Sequence, residues 1–231
     1  MVINLKKDVI IKVIVILLIF FILGILLYVI LDDKVTTDEK HFKIEYESLN
    51  NKKNDSKKTY PTVTIPKDNN VKYASFDEVM KFLDSGTGIL YLGFPECPWC
   101  RNAVPVLIDR AIENEVENIY YFNALSIRDI KELKGGKIVT TKKGTKEYYQ
   151  LVDRLKDNLG AYEGLNDDSI KRIYFPTVVF VMGGKIVGTH IGTVDSQKNP
   201  YKPLTKKQKK ELESIYDQNI NKIYGVCDES C

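Results

Sequence analysis

The feature that most constrains this chain is Cys97-Pro98-Trp99-Cys100, set where an apolar run gives way to a helical stripe. Residues 88–94 (GILYLGF) form a short apolar run of the kind that makes a buried strand. After Pro98, the side chains Val104, Ile108 and Ile112 recur at i, i+4 and i+8, one face of a helix. Pro98 suits the first helical position, where a missing N–H costs nothing. A helix start also carries partial positive charge and unpaired N–H groups, which favour a thiolate at Cys97. Cys97 is thus the expected nucleophile and Cys100, one turn deeper, the resolving thiol. Two cysteines so spaced can close a disulfide, and attack on a partner's disulfide would pass through a mixed disulfide that Cys100 releases.

Composition narrows the alternatives. The chain has 4 Cys and 2 His, which excludes a histidine-rich metal site and a disulfide-dense scaffold. A zinc site needs four ligands, and the remaining cysteines, Cys227 and Cys231, stand at the far terminus. No metal and no cofactor is expected, with half of a zinc site and an inert structural bridge as the alternatives to a redox pair. The formal net charge of +3, from 34 basic and 31 acidic residues, offers no strong field for nucleic acid.

Residues 13–31 (VIVILLIFFILGILLYVIL) contain no charge, and Val9 to Ile11 extend the run past Lys12. At ~1.5 Å per residue such a helix covers a ~30 Å hydrocarbon core, so residues 9–31 are expected to hold the bilayer as an uncleaved single span. No small-residue cleavage site follows it. Lys6, Lys7 and Lys12 favour residues 1–8 in the cytosol and the rest extracytoplasmic. Residues 32–70 carry eight charges of each sign and are expected to form a charged tether. Within it, Phe42, Ile44 and Tyr46 alternate with polar neighbours, and residues 62–65 lie between two prolines, so one or two short strands are expected.

Residues 71–225 alternate strand and helix. The expected order is a strand at 71–73, a helix over 76–84 opened by the capping box Ser75-Phe76-Asp77-Glu78, and the strand at 88–94. The helix from Pro98 and a strand at 119–122 follow. A helix is expected around 145–159. Strands at 177–182 and 185–191 meet at Gly183-Gly184, a two-residue turn signal. A last helix opens on Thr205 to Gln208 and buries Leu212, Ile215, Tyr216, Ile220 and Ile223. This is an α/β chain with helices covering a central mixed sheet. Tyr148, Tyr149 and Leu151 are expected in the core and His190 facing solvent. His41 falls in the tether, and Lys206-Lys207-Gln208-Lys209-Lys210 is expected to solvate the last helix.

Several of these features resemble the thioredoxin superfamily: the strand leading into C-x-x-C, Pro105 five residues after Cys100, and the segment Phe175-Pro176-Thr177 entering a hairpin with Gly184 and Gly192. The resemblance covers about two-thirds of the chain and implies a thioredoxin-like fold. It further implies that Pro176 is cis and faces the cysteines, and that the Phe175 backbone pairs with an extended substrate. Trp99 and Pro98 would flank that substrate. The chain as a whole is similar to membrane-anchored thioredoxin-like proteins, bacteriocin transport accessory proteins among them. It departs from thioredoxins in carrying Tyr91 where they have a buried acid, and in an insertion over 124–174.

The resulting expectation is an extracytoplasmic thiol–disulfide oxidoreductase held at the cell membrane. Its partners would be cysteine-containing exported proteins or a membrane redox protein. The direction of electron flow is open, since Glu96 opposes and Arg101 favours a thiolate at Cys97. The rival is a non-enzymatic module that holds a secreted peptide. Cys227 and Cys231, at i and i+4, are expected to form a tail disulfide, with a free pair or intermolecular link and a second redox pair as the alternatives.

Overall fold

The computed structural model describes residues 12, 14–24 and 37–224. The chain divides into two compact units, Met1–Thr37 and Asp38–Cys231. In the first, residues 14–24 are helical. Among the described residues no helix is long and apolar enough to cross a membrane. The rest of the apolar run, like the tail that holds Cys227 and Cys231, lies outside the described residues.

In the second unit, α1 (Asp38–Glu47) leads to β1 (Val71–Tyr73), α2 (Phe76–Ser85), β2 (Gly88–Leu92), α3 (Pro98–Glu113) and β3 (Ile119–Phe122). A hairpin of β4 (Ile130–Lys134) and β5 (Lys137–Lys142) follows, then α4 (Lys146–Leu155) and a 3-10 turn at Lys156–Asn158. β6 (Thr177–Met182), β7 (Lys185–Ile191) and α5 (Lys206–Tyr224) close the unit. Five strands form one sheet in the order β1-β3-β2-β6-β7. β1, β3 and β2 run parallel, while β6 is antiparallel to β2 and β7 to β6. The result is a mixed sheet flanked by helices.

Successive strand residues face opposite sides of the sheet, so each central strand feeds two cores. Ile89 and Tyr91 of β2, with Val178 and Phe180 of β6, pack with side chains of α1, α3 and α5. Leu90, Leu92, Val179 and Val181 pack on the other face with side chains of α2 and α4. β2, the strand that leads to the cysteines, is buried throughout and paired on both edges. That fixes its C-terminal end, from which the site is hung.

The segment expected as a tether is instead part of the fold from Asp38 onward. Phe42 and Tyr46 are fully buried, Val63 and Ile65 nearly so, and Ile44 is 52% exposed. The alternation at 42, 44 and 46 fits a strand on paper. Phe42 and Tyr46 are also an i, i+4 pair, and burial of that one helical face settles the conformation. Asn50 clamps Val63 through both backbone groups, at 2.8 Å and 3.0 Å, so the following extended stretch is held without a sheet partner. The β4–β5 hairpin, exposed along nearly its whole length, was not expected either. Gly135-Gly136 at its turn, both with positive φ, is the signal that marks it.

Smaller expectations divide. The capping box at Ser75 forms, with its hydroxyl accepting from the Glu78 N–H and the Glu78 carboxylate accepting from the Ser75 N–H. Thr205 and Gln208 make the same exchange before α5. Tyr148 and Leu151 are buried, but Tyr149 is 37% exposed. His190 does not face solvent: its Nε2 lies 2.6 Å from the Thr193 carbonyl and its ring meets Tyr216 edge-on. His41 stacks on Tyr73 with ring centres 4.7 Å apart. The four lysines between 206 and 210 are exposed, as expected.

Candidate active site

The cysteines sit where β2 ends. Cys97 is the N-cap of α3 and Pro98 occupies its first turn. As cap residue, Cys97 turns its Sγ back over the helix start, where the Cys100 N–H donates to it at 3.3 Å. Both cysteines are free thiols, with Cys100 wholly enclosed and Cys97 6% exposed. The Cys97 thiol donates to the Phe175 carbonyl at 3.6 Å, a contact that spans 78 residues. The Phe175–Pro176 peptide is cis. β6 starts directly after it, paired with β2, so the two loops that carry Cys97 and Phe175 leave neighbouring strands at the same end of the sheet. The structure therefore brings Cys97, Cys100, Phe175 and Pro176 to one place.

The two thiols are electrostatically unequal. Cys97 is held below the ordinary cysteine range, first by a hydrogen bond from the Cys100 side chain. Burial opposes this, while the backbone N–H groups of Cys100 and Trp99 and the charge of Arg128 assist it. Cys100 is pushed well up, by burial above all and then by the adjacent Cys97. Cys97 is thus the more readily ionised of the two sulfurs.

Arg128 is a site residue that sequence reasoning missed. It comes from the loop between β3 and β4, its guanidinium lying 4.9 Å from the centre of the Phe175 ring and its Nη1 donating to the Ile173 carbonyl at 3.4 Å. No local pattern marks it, because its approach to Cys97 depends on how the insertion folds back. Arg101, the cation expected to act on Cys97, has another task. It is 1% exposed and donates to the carbonyls of Pro61, Tyr46 and Pro95 and to Asn50 Oδ1. Its charge is turned away from the thiols and holds the segment before β1 against α3.

Trp99 and Phe175 line an open cavity of about 800 Å³, together with Tyr174, Gly160, Thr193 and Lys198 among others. Trp99 is half-buried, packed on the core and facing this cavity. One wall comes from the insertion, through Gly160, Ala161 and Glu163, and another from the turn after β7. Tyr91, six residues before Cys97 on β2, is 1% exposed, with its hydroxyl 2.7 Å from that of Tyr46. Among the described residues no cluster of three or more His, Cys, Asp or Glu side chains could hold a metal ion.

No protein-family model, curated protein or solved structure matches the chain.

Proposed function

We propose that this protein is a thiol–disulfide oxidoreductase of thioredoxin-like fold, tethered to the cell membrane by residues 9–31 with its catalytic unit outside. The observation that carries the proposal is the pairing of Cys97 and Phe175. A cysteine that caps a helix, with its pKa depressed, faces a backbone carbonyl beside a cis-proline at the edge of an open cavity. The sheet order β1-β3-β2-β6-β7 and the strand–C-x-x-C–helix junction support the thioredoxin-like assignment.

The chemistry runs in two exchanges. The Cys97 thiolate attacks one sulfur of a substrate disulfide, forming the Cys97–substrate bond and releasing the other substrate sulfur as a thiolate that takes up a proton. Cys100 then attacks Cys97 Sγ. The Cys97–Cys100 bond forms, the substrate leaves with the electron pair, and the proton of Cys100 passes to it. The enzyme dithiol is oxidised and the substrate disulfide reduced; the reverse sequence oxidises a substrate dithiol. Because Cys97 is nearly enclosed, its substrate must be a flexible chain able to lie in the cavity between Trp99 and Phe175. Cysteine-bearing segments of exported proteins, or of a membrane redox partner, meet that requirement.

Expressed in cells, Cys100→Ser should accumulate mixed disulfides through Cys97, seen as reductant-sensitive higher bands that a second Cys97→Ser change abolishes. A trap that captures nothing, together with a Cys97–Cys100 pair resistant to reduction below about −300 mV, would leave the pair a structural bridge.

A further inference from the structure

The proposed exchange makes no use of the β4–β5 hairpin, an arm from Ile130 to Lys142 that stands outside the main sheet. Its base is tied to the unit: the Lys131 N–H donates to the Tyr162 hydroxyl at 2.8 Å, and Lys142 Nζ donates to the Ser126 carbonyl at 2.7 Å. Along the arm, Ile130, Leu133, Ile138 and Val139 are each between 36% and 41% exposed. A two-stranded ribbon alone in water is marginally stable, so covering these side chains is a net gain. Leu133 stands opposite Ile138 on one face, while Glu132 opposite Val139 and Lys134 opposite Lys137 occupy the other. Residues 130–146 hold six lysines and one acidic residue, Glu132, already paired with Lys134 at 2.9 Å. Whatever covers this arm must supply negative charge and apolar matter together. The surface of an anionic bilayer does both, through its headgroups and the acyl boundary beneath them.

Chain length brings that surface close. With residues 9–31 in the bilayer, as proposed, only residues 32–37 separate the apolar run from the unit that begins at Asp38. At no more than ~3.6 Å per residue, that link reaches at most ~22 Å. A folded unit of this length is ~40 Å across, so one of its sides is always at the membrane. The side is indicated by Asp38 itself. Its Oδ2 accepts from the Tyr73 N–H at 3.0 Å, at the C-terminal end of β1. Tyr73 pairs with Tyr121, and β3 ends one residue later at Phe122, from which the chain runs on to the hairpin. β2 runs parallel to β3 and ends at the same end of the sheet, before Cys97. Chain entry, the departure toward the hairpin and the cysteines thus share one end of the sheet.

We propose that the β4–β5 hairpin docks on the anionic headgroups of the bilayer that holds residues 9–31. Its lysines meet lipid phosphates, and Leu133 and Ile138 reach the acyl boundary. Docking turns the end of the sheet that carries Cys97 toward the membrane, within reach of cysteines close to the bilayer. The inference rests on the proposed membrane tether and is independent of the thiol exchange.

The test uses the full-length chain with Trp99→Phe, which removes the single native tryptophan, and with Ile138→Trp as the reporter. The chain is reconstituted into vesicles whose acyl chains carry bromine, a contact quencher of indole fluorescence. One set is phosphatidylcholine alone and the other equal parts phosphatidylcholine and phosphatidylglycerol. The reporter should be quenched by about half or more in the anionic vesicles, and about threefold less in the neutral ones or at ~1 M salt. Leu133→Trp is the second reporter and decides the matter if Ile138→Trp fails to fold. Lys134→Glu combined with Lys137→Glu should remove the quenching of either. Met182→Trp, at a 39% exposed position on the opposite end of the sheet, should stay unquenched in both sets. Quenching that is absent from the anionic vesicles, equal in both sets or shared by Met182→Trp overturns the docking; absence would leave an acidic protein as the arm's partner. A chain that alkaline carbonate strips from the vesicles is a different outcome: it overturns the tether, and the docking with it.

Discussion

Arg101 Nη1 donates to the carbonyl of Tyr46 at 2.7 Å, joining the first turns of α3 to the end of α1 across 55 residues of sequence. The same guanidinium serves Pro61, Pro95 and Asn50, so one buried cation satisfies acceptors from several separate stretches of chain. Arg101→Met keeps much of the volume and removes every donor. It should lower the unfolding free energy by about 3–5 kcal/mol, because the acceptors stay buried without partners. Urea denaturation of the detergent-held chain checks this, and a loss below about 1 kcal/mol would show that the segment before β1 does not depend on Arg101.

The depressed pKa of Cys97 has a contribution from Arg128. Arg128→Gln removes that positive charge, so the thiolate loses a stabilising neighbour and its titration moves up toward the ordinary cysteine value of about 8.5. Alkylation by iodoacetamide should be about threefold slower at pH 7 in the variant and converge with wild type at high pH, where both are ionised. Equal rates at pH 7 would remove Arg128 from the site's electrostatics.

Gly183 and Gly184 share one turn but face different surroundings. Both have positive φ, yet a Cβ at Gly183 meets nothing within 4 Å, whereas one at Gly184 would lie 2.0 Å from the Asp84 carbonyl oxygen. Gly183→Ala should cost only the left-handed backbone penalty of about 1 kcal/mol. Gly184→Ala adds displacement of the end of α2, and its total should reach about 2–4 kcal/mol. Equal thermal midpoints for the two variants would contradict the close approach of α2 to this hairpin.

His190 is held below its ordinary pKa, mainly by burial, while the Thr193 carbonyl and Asp195 oppose the shift. The unfolded chain therefore takes up a proton at a higher pH than the folded one. Stability from this group is present above the unfolded value near 6.5 and is lost as pH falls below it. Between pH 7 and pH 5 the thermal midpoint of wild type should fall more steeply than that of His190→Gln. Parallel curves would show that His190 is not the group responsible.

Much of the working end of the molecule was legible in the residues themselves. The apolar run before Cys97, the proline at the first helical position and the i, i+4 stripe after it are local signals, and each acts within a few residues of itself. The same holds for the Ser75 and Thr205 capping boxes and for the Gly183-Gly184 turn. What was misread lay where charge and burial disagree. Residues 38–66 are rich in charge, and their few apolar side chains gain burial only from surfaces made by β1, β2 and α3.

The sequence by itself settled that a strand would deliver two cysteines to a helix start, because strand, cap and helix are short-range structures with short-range causes. Tertiary structure alone decided which groups surround the sulfurs. Arg128 from the loop after β3 and Tyr46 from α1 reach the neighbourhood of the pair from segments far off in sequence, and contacts between distant segments leave no periodic mark in the chain. They exist only because burying two faces of one sheet forces those segments to share a small volume.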